Sequence, residues 1–167
     1  MRSILALVSF LAISCSVAEK SEKQHAHAAV DHPVTAGIAR ITDGSRLFSL
    51  AQQDSLLVVI QEIERTTGAQ IGIYTLDTLH GRSIEEVSRE KAAQLGLGRK
   101  DADDGILITI ARNDRRMRLE IGEGLENIIS DERAAQLIRD HMLPDFRRGL
   151  YFKGTLGTLL EIGRVLR

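Results

Sequence analysis

At 167 residues, 43% of them hydrophobic and 27% charged, the chain has the length and composition of one soluble globular domain and is too short for a second full core. A formal charge of −1 argues against a nucleic-acid binder working through a broad basic surface. One cysteine excludes an intrachain disulfide and any multi-cysteine metal site, and no apolar run reaches the roughly 20 residues of a membrane-spanning helix.

Met1-Arg2-Ser3 is a short positive start before the apolar run Ile4–Ile13, which has the length of a signal-peptide core, about 7–15 residues. The run ends at Ser14-Cys15, and residues 1–15 resemble a bacterial lipoprotein signal in which Cys15 becomes the lipidated first residue. Ala12 stands where that signal usually has leucine, with Leu11 one step earlier. An ordinary signal cut near Ala18, or a buried N-terminal helix, is the alternative. The expected location is the cell envelope, periplasmic or extracytoplasmic, with a lipid anchor on a membrane surface. Residues 16–33 are polar and Ala-rich and read as a flexible tether. His25, His27 and His32 cluster there, but a floppy segment must order before it can chelate, so they read as solvated.

The folded domain is expected over residues 34–167. Val34–Ile41 is ambiguous, and Thr42-Asp43-Gly44 reads as a turn. Ser49 with Gln52 fits a capping box, with Leu56, Ile60 and Ile63 repeating at helical spacing and Gly68 as the stop. Gln70–Leu76 reads as a strand. Ser83 with Glu86 is a second capping box, with Ile84, Val87 and Leu95 on one side and Gly96 and Gly98 at the end.

Ile106–Ala111 is nearly continuously apolar, as a strand covered on both faces should be. Asn113-Asp114 is a turn, and Met117–Ile121 alternates like a half-exposed strand. Ser130–Met142 is a third helix, with Ala134, Leu137, Ile138 and Met142 inward and Pro144 beyond its end. Tyr151–Leu166 is a fourth, with Leu156, Leu159, Leu160 and Val165 inward and Gly154, Gly157 and Gly163 weakening it. These elements predict an α/β fold: a small mixed β-sheet sandwiched between helices, Gln70–Leu76 parallel to Ile106–Ala111 and the next strand antiparallel.

A tight turn centred on Asn113-Asp114 pairs residues whose numbers sum to about 227. Asp104 then faces Glu123 and Asp103 faces Gly124, with Asp131 at the start of the third helix closing the same rim. Carboxylates crowded together resist shared ionisation unless a cation neutralises them. Hard oxygen ligands favour Ca²⁺ or Mg²⁺, with Mn²⁺ also suitable. Gly105, Gly122 and Gly124 would let backbone carbonyls approach the ion. Each residue also has a plainer role: Asp104-Gly105 as a turn pair, Asp131 as a helix cap, Glu123 and Glu126 as solvated charges. An EF-hand beginning at Asp101 does not close, because its glycine slot falls on Ile106 and its final acid on Arg112.

In order and spacing, several segments resemble the TPM domain family: Thr66-Thr67-Gly68-Ala69-Gln70-Ile71, Asp103-Asp104-Gly105, Arg118 to Glu126, Ser130-Asp131, and Pro144 to Gly149 with Tyr151 and Gly154. The resemblance implies an α/β/α sandwich with a divalent-cation site in an acidic groove. That site would use Asp103, Asp104 and Asp131, with Asp43, Glu123 and Glu126 as lesser candidates. Family members are linked to phosphatase activity and to assembly of membrane complexes. Two functions follow as expectations. In the first, the domain is a cation-binding envelope module that scaffolds a protein partner. In the second, it is a metal-assisted phosphomonoester hydrolase in which Arg118, Arg147 or Arg148 holds phosphate. The first is favoured, because no attacking group is evident in the sequence.

Overall fold

The computed structural model describes residues 39–167. The expected signal segment with Cys15, the tether with its histidines and the first residues of the ambiguous stretch lie outside the described residues.

Four strands form one mixed sheet in the order β1-β2-β3-β4: β1 (Ile41–Asp43), β2 (Gln70–Leu76), β3 (Gly105–Ala111) and β4 (Arg116–Ile121). β1 and β2 are parallel, β2 and β3 are parallel, and β4 returns antiparallel to β3. The first strand lies within the segment expected to be an ambiguous stretch and a turn. Three residues are too few to show a period, and only pairing with Ile73–Thr75 makes them a strand.

Both capping boxes form as expected. Ser49 and Gln52 start α1 (Leu50–Thr67), which Gly68 ends at φ 82°, and Ser83 and Glu86 start α2 (Ile84–Leu95). Leu56, Ile60 and Ile63 of α1 pack on Ile71, Ile73, Ile106, Ile108 and Ile110 of the sheet. α2 covers the opposite face, where Ile84 and Val87 meet Leu79 and Ala111. Beneath α2 the hydroxyls of Ser88 and Thr109 satisfy each other at 2.7 Å, both fully buried. With β1, β2 and β3 parallel and in chain order, helices on opposite faces mean that the two crossovers have opposite hands. One of them departs from the usual right-handed rule.

The third helical stretch runs further than its sequence suggests. α3 (Asp131–Leu137) passes into a π turn over Ile138–Met142 and on into α4 (Leu143–Phe146). Pro144 therefore lies inside the helical run. Proline has no N–H to give to the carbonyl four residues back, and the wider turn before it absorbs that mismatch. α5 (Tyr151–Val165) buries Leu159 and Ile162, whereas Leu160 is 57% exposed rather than inward. The glycines of α5 do more than weaken it. A side chain at Gly154 would meet the Phe146 ring at 2.8 Å, and one at Gly163 would meet Ile63 at 2.9 Å, so both mark close helix contacts.

Candidate functional site

The β3–β4 hairpin has the expected register: Ile106 pairs with Ile121 and Ala111 with Arg116, a sum of 227 in each case. Beyond the last paired residues the two chains stay together. The Gly122 N–H donates to the Gly105 carbonyl at 2.8 Å and the Gly124 N–H to the Asp103 carbonyl at 3.1 Å. A one-turn 3₁₀ segment over Glu123–Leu125 then leads toward Ser130, the N-cap of α3.

This geometry creates a groove of about 550 Å³ between β4 and the C-terminal half of α2, at the end of the sheet where β3 begins. Asp103, Glu123, Glu126 and Asp131 line it, together with Arg118 and Glu120. Sequence reasoning thus brings Asp103, Glu123, Glu126 and Asp131 to one place. Among the described residues, however, no three His, Cys, Asp or Glu side chains stand close enough together to hold one ion as they lie.

Asp104, expected as a primary ligand, is instead a structural anchor. It is 4% exposed, and Arg99 holds both its oxygens. The Arg99 N–H donates to Oδ1 at 2.7 Å, and Nε to Oδ2 at 2.7 Å. Nη2 completes the ion pair at 2.6 Å. Burial pushes the Asp104 carboxyl up, but the hydrogen bonds and charge of Arg99 outweigh that and hold it below its ordinary range. Asp103 and Asp104 precede β3, and the left-handed backbone at Asp103 turns the chain so that Asp104 meets Arg99 while Asp103 lines the groove.

Asp103 occupies the left-handed region at φ 43°, where a short polar side chain is tolerated. Its Oδ2 accepts the Glu123 N–H at 3.1 Å, which ties the two loops across the hairpin. Asp131 is the first residue of α3, but the helix is capped by the Ser130 hydroxyl, which accepts from the Arg133 N–H. Asp131 accordingly makes no hydrogen bond among the described residues beyond its helix.

Gly122 and Gly124 allow a close contact between two stretches of backbone. A Cβ on Gly122 would collide with the Asp103 carbonyl, and one on Gly124 with the Ala102 carbonyl. They let the loop over residues 99–104 lie directly on residues 122–124.

Asp43 is far from this groove, at the opposite end of the strands. Its carboxylate accepts the Leu47 N–H at 3.0 Å, the Phe48 N–H at 2.9 Å and the Thr75 hydroxyl at 2.5 Å. Three donors fill it, and it organises the turn after β1.

The candidate phosphate ligands are dispersed. Arg118 lines the groove but is paired with Glu120, two residues along the same strand, at 2.5 Å. Arg148 lies 3.9 Å from Asp145. Arg147 belongs to a second pocket of about 390 Å³ at the far end of the sheet, with Arg112, Arg115 and Arg116. The grouping of those four arginines was missed in the sequence. Arg112, Arg115 and Arg116 flank the hairpin turn visibly, but Arg147 joins them only through the fold.

No helix among the described residues is long and apolar enough to cross a membrane. Among solved structures, the chain is similar to the N-terminal domain of a protein from P. gingivalis, with 29% identity and a TM-score of 0.70 over 75% of this chain and 80% of that one. It is also similar to a protein from the psychrophilic bacterium Bizionia argentinensis, with 17% identity and a TM-score of 0.62 over 71% and 81% of the two chains. The N-terminal domain of a Corynebacterium glutamicum protein shares 12% identity with a TM-score of 0.65 over 82% and 85%. The last two likenesses are of fold alone. No curated protein matches the chain. The TPM domain matches residues 41–165, the whole of the sheet and all five helices, and the chain therefore belongs to the TPM domain family.

Proposed function

We propose that this chain is an envelope binding module whose acidic groove takes a divalent cation, Ca²⁺ or Mg²⁺, and whose loaded groove forms a contact surface for a protein partner. The observation that carries this reading is the meeting of Asp103, Glu123, Glu126 and Asp131 along one groove from three separate stretches of chain. None of the four is paired with a Lys or Arg among the described residues, so their charge is left for a cation from solution. The donor set fits a hard ion: all carboxylate oxygen and exposed, with Asp103 alone of the four holding a backbone N–H from another stretch of chain. Asp103 and Asp131 would hold the ion, with Glu123 and Glu126 supplying further oxygens. Asp104 would act through Arg99 by fixing the loop that presents Asp103. A bound ion would halve the charge of the four carboxylates and tie the hairpin to the start of α3.

A metal-assisted phosphatase draws less support, since only Arg118 of the three candidate phosphate ligands lies at the groove and it is already paired. The envelope location and the lipid anchor at Cys15 rest on the sequence of the first 15 residues.

Calorimetric titration of the full chain with CaCl₂ and with MgCl₂, alongside melting curves, tests the reading. Saturable heat and a raised melting temperature are expected for one of the two ions. Asp103→Asn and Asp131→Asn should each lose both effects while melting near the wild-type temperature without metal. Absence of binding by either ion, or an unchanged response in the double variant, would overturn it.

A further inference from the structure

The end of the sheet opposite the acidic groove gathers an excess of positive charge. Arg112, Arg115 and Arg116 surround the hairpin turn, and Arg147 joins them from the loop before α5. All four are exposed, and none forms an ion pair among the described residues. Four arginines outnumber the acids nearby, which are Asp77, whose backbone carbonyl accepts the Asn113 N–H at 2.9 Å, Asp114 and Asp145. Asp114 accepts the Leu79 N–H at 2.8 Å, and Asp145 is held by Lys153 at 3.0 Å.

Beside the arginines, Gly149 turns the chain at φ 73°, and Leu150 follows it, 38% exposed. Tyr151 stands next to it, fixed edge-on against Phe146 with ring centroids 5.0 Å apart. A partly exposed leucine and a braced tyrosine beside four guanidinium groups have the composition of a bilayer interface contact.

We propose that this basic end docks on a bilayer containing anionic phospholipid, the four guanidinium groups meeting headgroup phosphates while Leu150 enters the interfacial layer. The charge distribution favours a membrane over a single soluble phosphate. Exposed arginines spread over two elements gain little from one hydrated ion, but a bilayer offers many phosphates at once. The chain as a whole is close to neutral, at −1. Attraction therefore depends on orientation: with β3 spanning about 20 Å between the two ends, the acidic groove is held more than a Debye length from the bilayer.

The test is vesicle co-sedimentation of the full chain with phosphatidylcholine alone and with phosphatidylcholine containing phosphatidylglycerol. The apolar run at residues 4–13 and the cations beside it are present in every variant, so the arginines are judged by the difference between wild type and variants. Partition should rise with phosphatidylglycerol and fall with salt, and the rise should drop roughly fivefold for each arginine changed to glutamine at positions 112, 115, 116 and 147. Leu150→Ser should reduce it further, and all these variants should keep the wild-type circular dichroism. Equal partition into both vesicle types overturns the proposal, as does a rise that survives loss of all four guanidinium groups. The measure throughout is the difference between wild type and the quadruple variant, and saturable binding of inorganic phosphate that displaces the vesicles at constant ionic strength also overturns the proposal and makes this a small-anion site. Preference for polyglutamate over vesicles would assign the surface to an acidic protein instead.

Discussion

The two ends of β3 carry opposite charge and are built by opposite means. At its start, two loops are pressed together so closely that only glycine fits at positions 122 and 124, and the Asp104 carboxylate is buried in the grip of Arg99. At its end, Arg112, Arg115, Arg116 and Arg147 reach into solvent with no acidic partner among the described residues. The acidic end therefore contributes to stability through precise fit, whereas the basic end contributes charge and little else. Mutations should separate them sharply.

The largest effect is expected at Gly124. A Cβ there would occupy the position of the Ala102 carbonyl, and backbone cannot swing aside as a long side chain can. Gly124→Ala should destabilise the domain by about 3 kcal/mol in urea unfolding, mainly by forcing the 99–104 loop away from the hairpin. A loss below about 1 kcal/mol would mean that the loops are not locked.

Asp104→Ala comes next, at about 2 kcal/mol, for the loss of a buried acceptor of charged and backbone hydrogen bonds. Its pH dependence has a definite sign. The folded carboxyl is held below its ordinary value, so the stabilisation is complete above about pH 4 and fades as pH falls through the folded value. The gap between wild type and Asp104→Ala should be flat from about pH 5 to about pH 8 and should narrow in acid. A gap that widened in acid would contradict the pairing with Arg99.

These residues also mark what was legible in the sequence. The hairpin was readable because Asn113-Asp114 sits midway between two strand patterns, which fixes the register and with it the meeting of Asp103, Glu123 and Glu126. Helix starts were readable because Ser49 with Gln52 and Ser83 with Glu86 are local reciprocal hydrogen bonds. What escaped depends on distant partners or on side-chain direction. Asp103 and Asp104 look equivalent in a string of letters, yet one faces the groove and the other Arg99. Asp43, a lesser candidate on the family resemblance, is filled by Thr75, Leu47 and Phe48, partners no local pattern names. Leu160 follows Leu159 by a turn of about 100° around the helix, and that step carries it out of the core.

Gly149→Ala offers a graded contrast with Gly124 at the other end. Nothing lies within 4 Å of a Cβ at Gly149, so space is no obstacle, but its φ of 73° disfavours any residue with a side chain. The expected loss is about 1 kcal/mol, from backbone strain alone. A cost as large as that at Gly124 would show that the basic end is packed as tightly as the acidic one.

The smallest effect should come from the arginines themselves. Replacing Arg112, Arg115 and Arg116 together with glutamine removes three positive charges that lie near one another and breaks no ion pair among the described residues. Relief of like-charge repulsion and loss of aliphatic packing along the stems act in opposite directions. Stability should therefore stay within about 0.5 kcal/mol of wild type, measured by urea unfolding at low salt, where repulsion is least screened. A gain at low salt that disappears at high salt would identify repulsion as the stronger of the two. A loss above about 1 kcal/mol at both would show that these side chains hold the hairpin to the loop before α5, and that the basic end, too, is part of the frame.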